Sequence, residues 1–235
     1  MNRKEVQCMD CAANCIIKNI YDEQVLKEIE ESKTVQHYNK QQYIFNEGMP
    51  ISQIRFITSG VVKVFKSGVN NKTKIIRFSK TGEILGHRAL NTTTYPVSAV
   101  AIEETTICSF SKIFYLNLIR KNLSLAIKMM NFFADELTRS ETRERNLAQM
   151  NVREKIADTL LYLKDTFELD KNNVLQIFLS RQDIADYAGT TKEQVSKILS
   201  EFKDEKLIKL KAKQIIFLDE QKIRTIIDTH FKHYL

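Results

Sequence analysis

Four cysteines are the residues of this sequence whose type and spacing best suit inorganic chemistry. Cys8, Cys11 and Cys15 form a C-x2-C-x3-C segment, and Cys108 follows 93 positions later. Thiolates are the ligands that iron–sulfur clusters and structural zinc sites share. Three thiolates on one loop can occupy three corners of a cubane cluster, while a distant fourth ties that loop to the folded part of the chain.

Two other interpretations of the cysteines stay open. Four thiolates also suit a tetrahedral zinc ion. Cys108 lies in the predicted strand TTICSF, whose side chains alternate between two faces, so it can instead be a small buried hydrophobe. The other three cysteines would then be disordered or bind something else. The histidines share no ligand spacing with a cysteine, and nothing in the sequence supports a haem role for them; they are His37, His87, His230 and His233.

Length and composition describe a globular chain. Its 235 residues, 43% of them hydrophobic, suit one large domain or two modest ones. No window approaches the roughly 18 apolar residues of a membrane span, and MNRKEVQCMDC lacks the apolar stretch of a secretory signal. We therefore expect a cytoplasmic protein with reduced cysteines and no membrane partner. The formal net charge of +7 favours anionic partners without identifying one.

Glycine and proline mark frequent turns in the first half of the chain. The runs between them are ISQIRFITSG, VVKVFKSG, KIIRFSKTGEI, PVSAVAIEE and TTICSFSK. Short runs of this composition and spacing predict a small antiparallel barrel or double-sheet roll. Because side chains alternate along a strand, Ile54 and Phe56 should share one face, with Arg55 and Ile57 on the other.

A long helix is predicted next, because Ser124 to Met150 contains no glycine or proline. Its apolar residues recur every three or four positions, until charge interrupts the stripe in SETRERN. A long helix with an incompletely buried stripe usually packs against a copy of itself or bridges domains. The expected dimer interface comprises Ile127, Met130, Ala134, Leu137, Glu144 and Leu147. Glu141 and Glu144 would then need Arg143 or Arg145 of the partner subunit to neutralise them.

The most specific local pattern is SRQDIADYAGTTKEQVSKILSEFKDEKLI, residues 180–208. Ser180, three residues before Asp183, predicts a capped helix start, and Gly189 is a permissive helix end. Thr191 opens a second helix. The expected inward-facing residues are Ile184, Ala185 and Ala188 in the first helix and Val195, Ile198, Leu199 and Phe202 in the second. Two short helices joined by a glycine turn form a helix-turn-helix, and the alternating LIKLKAKQIIFLD adds a hairpin that makes it winged.

The outer face of the second helix carries side chains that can read DNA. Glu193 can accept a hydrogen bond from cytosine N4, and Lys197 can donate to guanine O6 and N7. Phosphates repel a carboxylate, so Glu193 among lysines favours base reading over a merely solvated helical subdomain, which is the alternative. The candidate DNA-binding residues are Glu193, Ser196, Lys197, Lys192, Thr191 and Arg181. Lys203, Lys206, Lys209, Lys211 and Lys213 could contact phosphates.

The order of these three parts resembles the Crp/Fnr family of bacterial transcription regulators. The resemblance runs from about Val35 to the end, and it rests on FITSGVVKVFKSG, KTGEILG, REKIADTLLYL and the helix-turn-helix. It implies an α+β fold with an N-terminal antiparallel, jelly-roll-like β-roll as sensor domain, a long dimerisation helix and a C-terminal winged helix-turn-helix. It also implies a homodimer on a palindromic promoter site in double-stranded DNA, base reading by Glu193, Ser196 and Lys197, and RNA polymerase as a partner.

The expected domains are a cysteine-bearing segment (1–19), the β-roll (20–118), the dimerisation helix (119–150) and the DNA-binding domain (151–235). Within the last, we expect a helix over residues 152–164, a short strand VLQIFLS and a final helix from about Asp219 to Tyr234. No serine–histidine–aspartate grouping, paired-carboxylate motif, glycine-rich phosphate loop or HExxH motif stands out. We therefore do not expect an enzyme.

The resemblance argues against cyclic AMP as the effector. Cyclic-nucleotide-binding members carry a glutamate for the ribose and an Arg-Ser pair for the phosphate after a GEILG-like turn. The corresponding places here read His87 and Val97-Ser98, and the Thr-Ser pair that contacts adenine reads Ser140-Glu141. Burying a cyclic phosphate without a guanidinium partner would be costly.

The cysteine layout resembles the oxygen-sensing Fnr branch of the family, which binds a [4Fe-4S] cluster, although the third spacing is shorter here. The resemblance implies that Cys8, Cys11, Cys15 and Cys108 are the metal ligands. It also implies that O2, NO or another redox signal controls dimerisation and promoter binding through the cluster. The alternative is a regulator of the same fold that answers to a small organic ligand or haem, with the cysteines binding zinc or nothing.

Overall fold

The computed structural model describes residues 7, 8, 10–18, 23–69 and 72–228. His230, His233 and the end of the last predicted helix therefore lie outside the described residues. The chain forms two compact units, residues 1–137 and 138–235. Over the described ranges, no helix is both long enough and apolar enough to cross a membrane.

The first unit is built on eight strands, which are β1 (Thr34–Tyr38), β2 (Tyr43–Phe45), β3 (Gln53–Ser59), β4 (Val62–Ser67), β5 (Thr73–Ser79), β6 (Ile84–Leu85), β7 (Ser98–Ala101) and β8 (Thr105–Ser111) among the described residues. They form two four-stranded antiparallel sheets, ordered β1-β8-β3-β6 and β2-β7-β4-β5. Helix α1 (Glu23–Ser32) precedes them, a short 3-10 helix (His87–Leu90) follows β6, and α2 (Lys112–Lys121) and α3 (Leu123–Gln149) come after β8. This confirms the predicted antiparallel roll.

Strand alternation gives the first sheet two different faces. Ile57 of β3 packs in a core formed by both sheets, and the guanidinium of Arg55 lies over the Phe45 ring of that same core. Ile54 and Phe56 instead belong to a second core, which α1, α2 and the start of α3 cover. The predicted division of β3 into two faces is therefore confirmed, and the first sheet separates the roll interior from a helix-covered outer face.

Two helices follow β8, where the sequence predicted one. Ser111 caps α2 by accepting a hydrogen bond from the Phe114 N–H at 3.1 Å. The side chain of Asn122 accepts from the Leu125 N–H at 2.9 Å, so a second cap starts α3 immediately after α2 ends. Helix α3 has 27 residues, close to the predicted length.

The second unit contains the predicted winged helix-turn-helix. Its elements are α4 (Val152–Phe167), α5 (Arg181–Ala188), α6 (Lys192–Asp204), β9 (Ile208–Lys211), β10 (Gln214–Phe217) and α7 (Glu220–Asp228). All seven predicted inward-facing residues of α5 and α6 are buried. Arg153 of α4 pairs with Glu201 of α6 at 3.2 Å and with Glu205, the residue that follows α6, at 2.7 Å. Its guanidinium lies 4.7 Å from the Phe202 ring centroid.

One predicted element is wrong. The segment VLQIFLS alternates in burial, with Leu175, Ile177 and Leu179 inside. It nevertheless forms no ladder, because its only bridges among the described residues are Leu169 with Leu175 and Val174 with Ile216. The alternation comes from an extended segment that packs one face inward, a pattern that a strand and an extended connection share.

Candidate functional site

Cys108 lies on the outer face of the first sheet and not in the roll interior. In the strand ladders it faces Val35 of β1 and Phe56 of β3. Its side chain belongs to the helix-covered core, and Cys8 and Cys15 pack against that same core. The fourth cysteine is thus on the side of the sheet that the amino-terminal cysteines cover.

All four cysteines line one pocket, which we call the cysteine pocket. Its other walls are mainly apolar and include Ile17, Leu26, Phe56 and Phe110. The empty volume is about 480 Å³, part of which is open to solvent. Cys108 is buried, and the other three thiols are partly exposed. A pocket with one buried and three partly exposed cysteines suits a group that is anchored by the fold and reached by small molecules.

Two contacts attach the cysteine-bearing segment to the rest of the first unit, and a third, between Lys18 and Cys11, lies within the segment. The Cys8 N–H donates to the carboxylate of Glu30 on α1 at 2.9 Å. The ammonium of Lys18 donates to the Cys11 carbonyl at 2.6 Å. Gly82, at φ +91°, lies so close to the segment that an added Cβ would be 3.1 Å from the Asn14 carbonyl oxygen. These contacts hold the segment through its main chain, and the Cys8 thiol is also hydrogen-bonded to Glu30.

The electrostatics of the pocket oppose free thiolates. Burial raises the pKa of Cys8 and of Cys108 from 9.0 to about 12, while nearby Lys33 acts in the opposite direction on both. The Lys33 side chain is only 3% exposed and pairs with Glu30. Burial lowers the pKa of Lys33, but Glu30 and the thiols outweigh this effect, so the pKa is raised and the ammonium stays charged. Metal binding must therefore displace thiol protons beside a buried positive charge.

The donor set fits a four-thiolate group. In the described part of the chain, no three His, Cys, Asp or Glu side chains are arranged closely enough to hold a metal ion as they stand. Binding would draw the sulfur atoms inward from the pocket walls. Three sulfurs on one segment and a fourth on a rigid strand match the ligand number of a [4Fe-4S] cluster.

A second cavity lies in the roll at the place where the resemblance puts a cyclic nucleotide. Arg77, His87 and Arg88 line it. Glu136 of α3 is 3.8 Å from Arg77 and 3.6 Å from Arg88, so a carboxylate of the chain already meets both guanidinium groups. Burial, together with these two arginines, lowers the pKa of His87 from 6.5 to about 2. Val97 beside this cavity is buried and supplies no charge for a phosphate.

The helix-turn-helix forms through local caps. The Ser180 side chain accepts from the Asp183 N–H at 3.0 Å, and the Ser180 N–H donates back to the Asp183 carboxylate at 3.1 Å. Gly189 ends α5 at φ +70°, and the Thr191 side chain accepts from the Gln194 N–H at 3.3 Å to start α6. The turn between α5 and α6 is therefore fixed by residues within it.

The candidate DNA-binding residues of α6 share an exposed face. Thr191, Lys192, Glu193, Ser196 and Lys197 are all exposed. The Ser196 hydroxyl donates to the Lys192 carbonyl at 2.9 Å, which leaves its oxygen free to accept. Hydrogen bonds to its own main chain and to Thr191 lower the pKa of the Glu193 carboxyl, so it is ionised at neutral pH.

Ser200 adds an exposed polar side chain to this face, whereas Arg181 is only partly exposed. Ser200, exposed one turn beyond Ser196, continues the same face of α6, and its spacing of four residues from Ser196 could have identified it. Arg181 is half-buried at the start of α5, and burial lowers the pKa of its guanidinium. The wing lysines Lys209, Lys211 and Lys213 are exposed and available for phosphates.

The predicted dimer residues are exposed over most of α3. In the first unit, Ile127 is 48%, Met130 70% and Leu137 60% exposed, and Ala134 is also exposed. In the second unit, Glu144 is exposed and Leu147 half-buried. Arg143, one of the two arginines expected to neutralise acids of a partner subunit, has its guanidinium 3.8 Å from the ring centroid of Tyr187 in the same chain.

Two family comparisons match separate parts of the chain. The cyclic nucleotide-binding domain matches residues 35–122, and the Crp-like helix-turn-helix domain matches residues 154–226. Together they account for more than half of the sequence.

Curated relatives and solved structures agree with these matches. The transcriptional activator protein anr of Pseudomonas aeruginosa is 26% identical over 92% of this chain and 90% of its own length. The fumarate and nitrate reduction regulatory protein of Vibrio cholerae is 24% identical over 93% of this chain and 89% of its own. The structure of FixK2 from Bradyrhizobium japonicum superposes with a TM-score of 0.76 at 24% identity, covering 83% of this chain and 96% of that one. With both domains matched in order and regulators rather than enzymes as relatives, the chain belongs to the Crp/Fnr family of DNA-binding transcription regulators.

Proposed function

We propose that this regulator senses O2, NO or a related redox signal through a [4Fe-4S] cluster held by Cys8, Cys11, Cys15 and Cys108. The observation that carries the proposal is the convergence of all four sulfurs on the cysteine pocket. A cluster bound there supplies a group that oxygen and nitric oxide can attack. The relatives named as activators and as a fumarate and nitrate reduction regulator support the same class of signal.

The cysteine pocket is linked to α3 through a shared core. Ile17 of the cysteine-bearing segment and Leu125 and Met129 of α3 belong to the same cluster of buried side chains. The Tyr115 hydroxyl donates to the Met129 sulfur at 3.1 Å. The cysteine-bearing segment therefore supports the beginning of α3 from the side opposite the exposed Met130.

This arrangement supports control of a homodimer. Helix α3 exposes Ile127, Met130 and Leu137 at spacings that a partner helix can cover. When the four cysteines hold their ligand, the cysteine-bearing segment packs on the helix-covered core and stabilises the position of the exposed face of α3. When they release the ligand, this stabilisation of α3 weakens. A coupling of about 1–3 kcal/mol is enough to shift a marginal dimer.

A dimer would place two α6 helices on the two halves of a palindromic promoter site. Because its target is promoter DNA, we place the protein in the cytoplasm, with RNA polymerase as a further partner.

The alternative effectors have less support. A small anionic ligand in the roll cavity would compete with Glu136, which already pairs with Arg77 and Arg88. A single zinc ion would use the same four thiols but brings no sulfide, so metal and sulfide analysis distinguishes it from a cluster.

Sedimentation velocity and DNA binding of anaerobically purified protein, before and after exposure to air, test the proposal. We expect the dimer fraction and the affinity for a selected duplex to fall together in air. Met130→Glu should be monomeric in both states, since it places a charge in the exposed stripe, whereas Asn131→Glu, at an exposed position beside it, should behave as wild type. Identical dimer fractions and affinities before and after air would contradict the switch.

A further inference from the structure

The guanidinium of Arg143 contacts two different groups of Tyr187, near the end of α5. Its guanidinium carbon lies 3.8 Å from the centroid of the Tyr187 ring, within the range of a cation–π contact. Its Nη2 also donates to the main-chain carbonyl of Tyr187 at 2.7 Å. One side chain of α3 thus contacts both the ring and the backbone of one residue of the helix-turn-helix.

The carbonyl that Arg143 binds is one that α5 cannot satisfy itself. The last four carbonyls of a helix have no partner within it, and positive charge is favoured at that end. Gly189 caps α5 by donating to Ala185, and Arg143 supplies the donor for Tyr187. The arginine is therefore part of the cap that sets where α5 stops and the turn toward α6 begins.

Tyr187 is firmly fixed from its other side. Its ring is 7% exposed and stacks on Tyr162 of α4, with centroids 4.6 Å apart and planes 9° apart. One turn along α3 from Arg143, the Asn146 amide donates to the Asp158 carboxylate of α4 at 3.4 Å. The last turns of α3 thus contact α4 and α5 together, within one compact unit.

The orientation of α5 determines that of α6. The two helices contact each other and bury apolar residues such as Ile184 and Leu199, and only the short turn that begins at Gly189 separates them. A small rotation of α5 at Tyr187 would therefore move the exposed face of α6 that carries Glu193 and Lys197.

We propose that Arg143 is a positioning residue for specific DNA recognition, which fixes α5, and through it α6, against the end of α3 by its paired contacts with the ring and carbonyl of Tyr187. It does not touch DNA in this role. Arg143 therefore affects the affinity for a specific site, because base contacts require a correctly oriented α6. It does not affect the phosphate contacts that provide non-specific affinity.

The test compares two duplexes of equal length on the full-length, anaerobically purified protein. One carries a site selected from random sequence by the wild-type protein, and the other is its shuffled counterpart. Arg143→Gln should weaken binding to the selected duplex about tenfold, while binding to the shuffled duplex changes less than about twofold. Arg143→Lys keeps the charge but loses the planar group, so it should recover part of the specific affinity.

Two variants separate positioning from loss of charge or fold. Tyr187→Leu should reproduce the Arg143→Gln pattern, since it removes the ring that the guanidinium covers. Arg139→Gln removes an equal charge from an exposed position of the same helix and should leave both affinities near wild type. Equal losses on both duplexes would show a merely structural or electrostatic role and overturn the proposal. Unchanged specific binding in Arg143→Gln, or an equal specific loss in Arg139→Gln, would also overturn it.

Discussion

The main-chain N–H of Cys8 donates a 2.9 Å hydrogen bond to the carboxylate of Glu30. The same carboxylate pairs with the nearly buried Lys33, whose charge lowers the pKa of two pocket thiols against the effect of burial. Glu30 therefore holds both the backbone of a proposed ligand and the cation beside it. No other carboxylate has this double role among the described residues that line or adjoin the pocket.

Glu30→Gln should accordingly shorten the lifetime of the bound group. The amide still reaches the Cys8 N–H, but it no longer holds Lys33 by charge. We expect the visible absorbance of anaerobically purified protein to decay several-fold faster after a defined addition of air. Glu28→Gln is the matched control, because Glu28 lies on the same helix and its carboxylate forms a surface ion pair with Lys121, 3.7 Å away. Equal decay rates in the two variants would contradict the assigned role of Glu30.

Gly82 offers a test of the packing of the cysteine-bearing segment on the roll. Gly82→Ala would strain a backbone at φ +91° and press a Cβ to 3.1 Å from the Asn14 carbonyl. Gly48→Ala would meet a similar strain at φ +83° but touch nothing within 4 Å. Both should lose about 1 kcal/mol of unfolding free energy from backbone strain.

Only Gly82→Ala should also loosen the segment. Limited proteolysis near residues 10–18 and metal content per chain measure this difference. Equal protease sensitivity and equal metal content in the two variants would show that the segment does not depend on this contact.

The exposed face of α6 predicts sequence-specific effects. Glu193→Ala and Lys197→Ala should each cost about 1–3 kcal/mol at a selected site and relax preference at one base pair. Lys209→Ala in the wing should weaken binding to all sequences alike and reduce the salt dependence, since it removes a phosphate contact. Binding measurements with single-base variants of the selected duplex distinguish the two classes. Unchanged preference in the Glu193 and Lys197 variants would exclude them as base readers.

His87 gives the unfolding free energy a defined pH dependence. Burial, Arg77 and Arg88 lower its pKa from 6.5 to about 2, against the opposing effect of a hydrogen bond with the Ile84 main chain. Between these values the unfolded chain binds a proton that the folded chain does not. Stability contributed by this group is therefore present above pH 6.5 and is lost as the pH falls below it, by at most on the order of 1 kcal/mol per pH unit.

His87→Phe removes this titration and keeps an aromatic ring beside Phe132. Chemical denaturation between pH 4.5 and 7 should show a flatter dependence in the variant; His87→Gln serves the same purpose if the larger ring disturbs folding. A wild-type slope in both His87 variants would show that the group does not titrate as proposed.

Sequence patterns predicted the parts of this fold that depend on local structure. Ser180, Gly189 and Thr191 carry their own capping and turn geometry, so the helix-turn-helix could be predicted from neighbours within a few positions. Alternation likewise placed Phe56 and Ile57 on opposite faces of β3. The same alternation wrongly suggested a strand at residues 174–180, because an extended connection buries every second residue as a strand does.

Contacts between distant positions could not be predicted in the same way. Arg143 and Tyr187 are 44 positions apart, and the charges of SETRERN indicated a solvated or partner-facing surface rather than a cap on α5. Glu136 of α3 meets Arg77 of β5 and Arg88 of the 3-10 helix only because the fold brings these distant elements together. The cysteines were proposed as one ligand set from their spacing and a family resemblance, while their common pocket depends on the face of β8 that carries Cys108.

The most direct test of the sensor is iron, acid-labile sulfide and zinc analysis of one anaerobically purified sample of the wild type, Cys108→Ser and Ser109→Ala. Ser109 is the matched control, because it is the next residue of β8, fully buried and on the opposite face of the sheet. We predict about four iron and four sulfide per chain in the wild type and in Ser109→Ala. Both should be lost in air and be largely absent from Cys108→Ser. One zinc per chain without sulfide, or iron content unaffected by Cys108→Ser, would contradict the account.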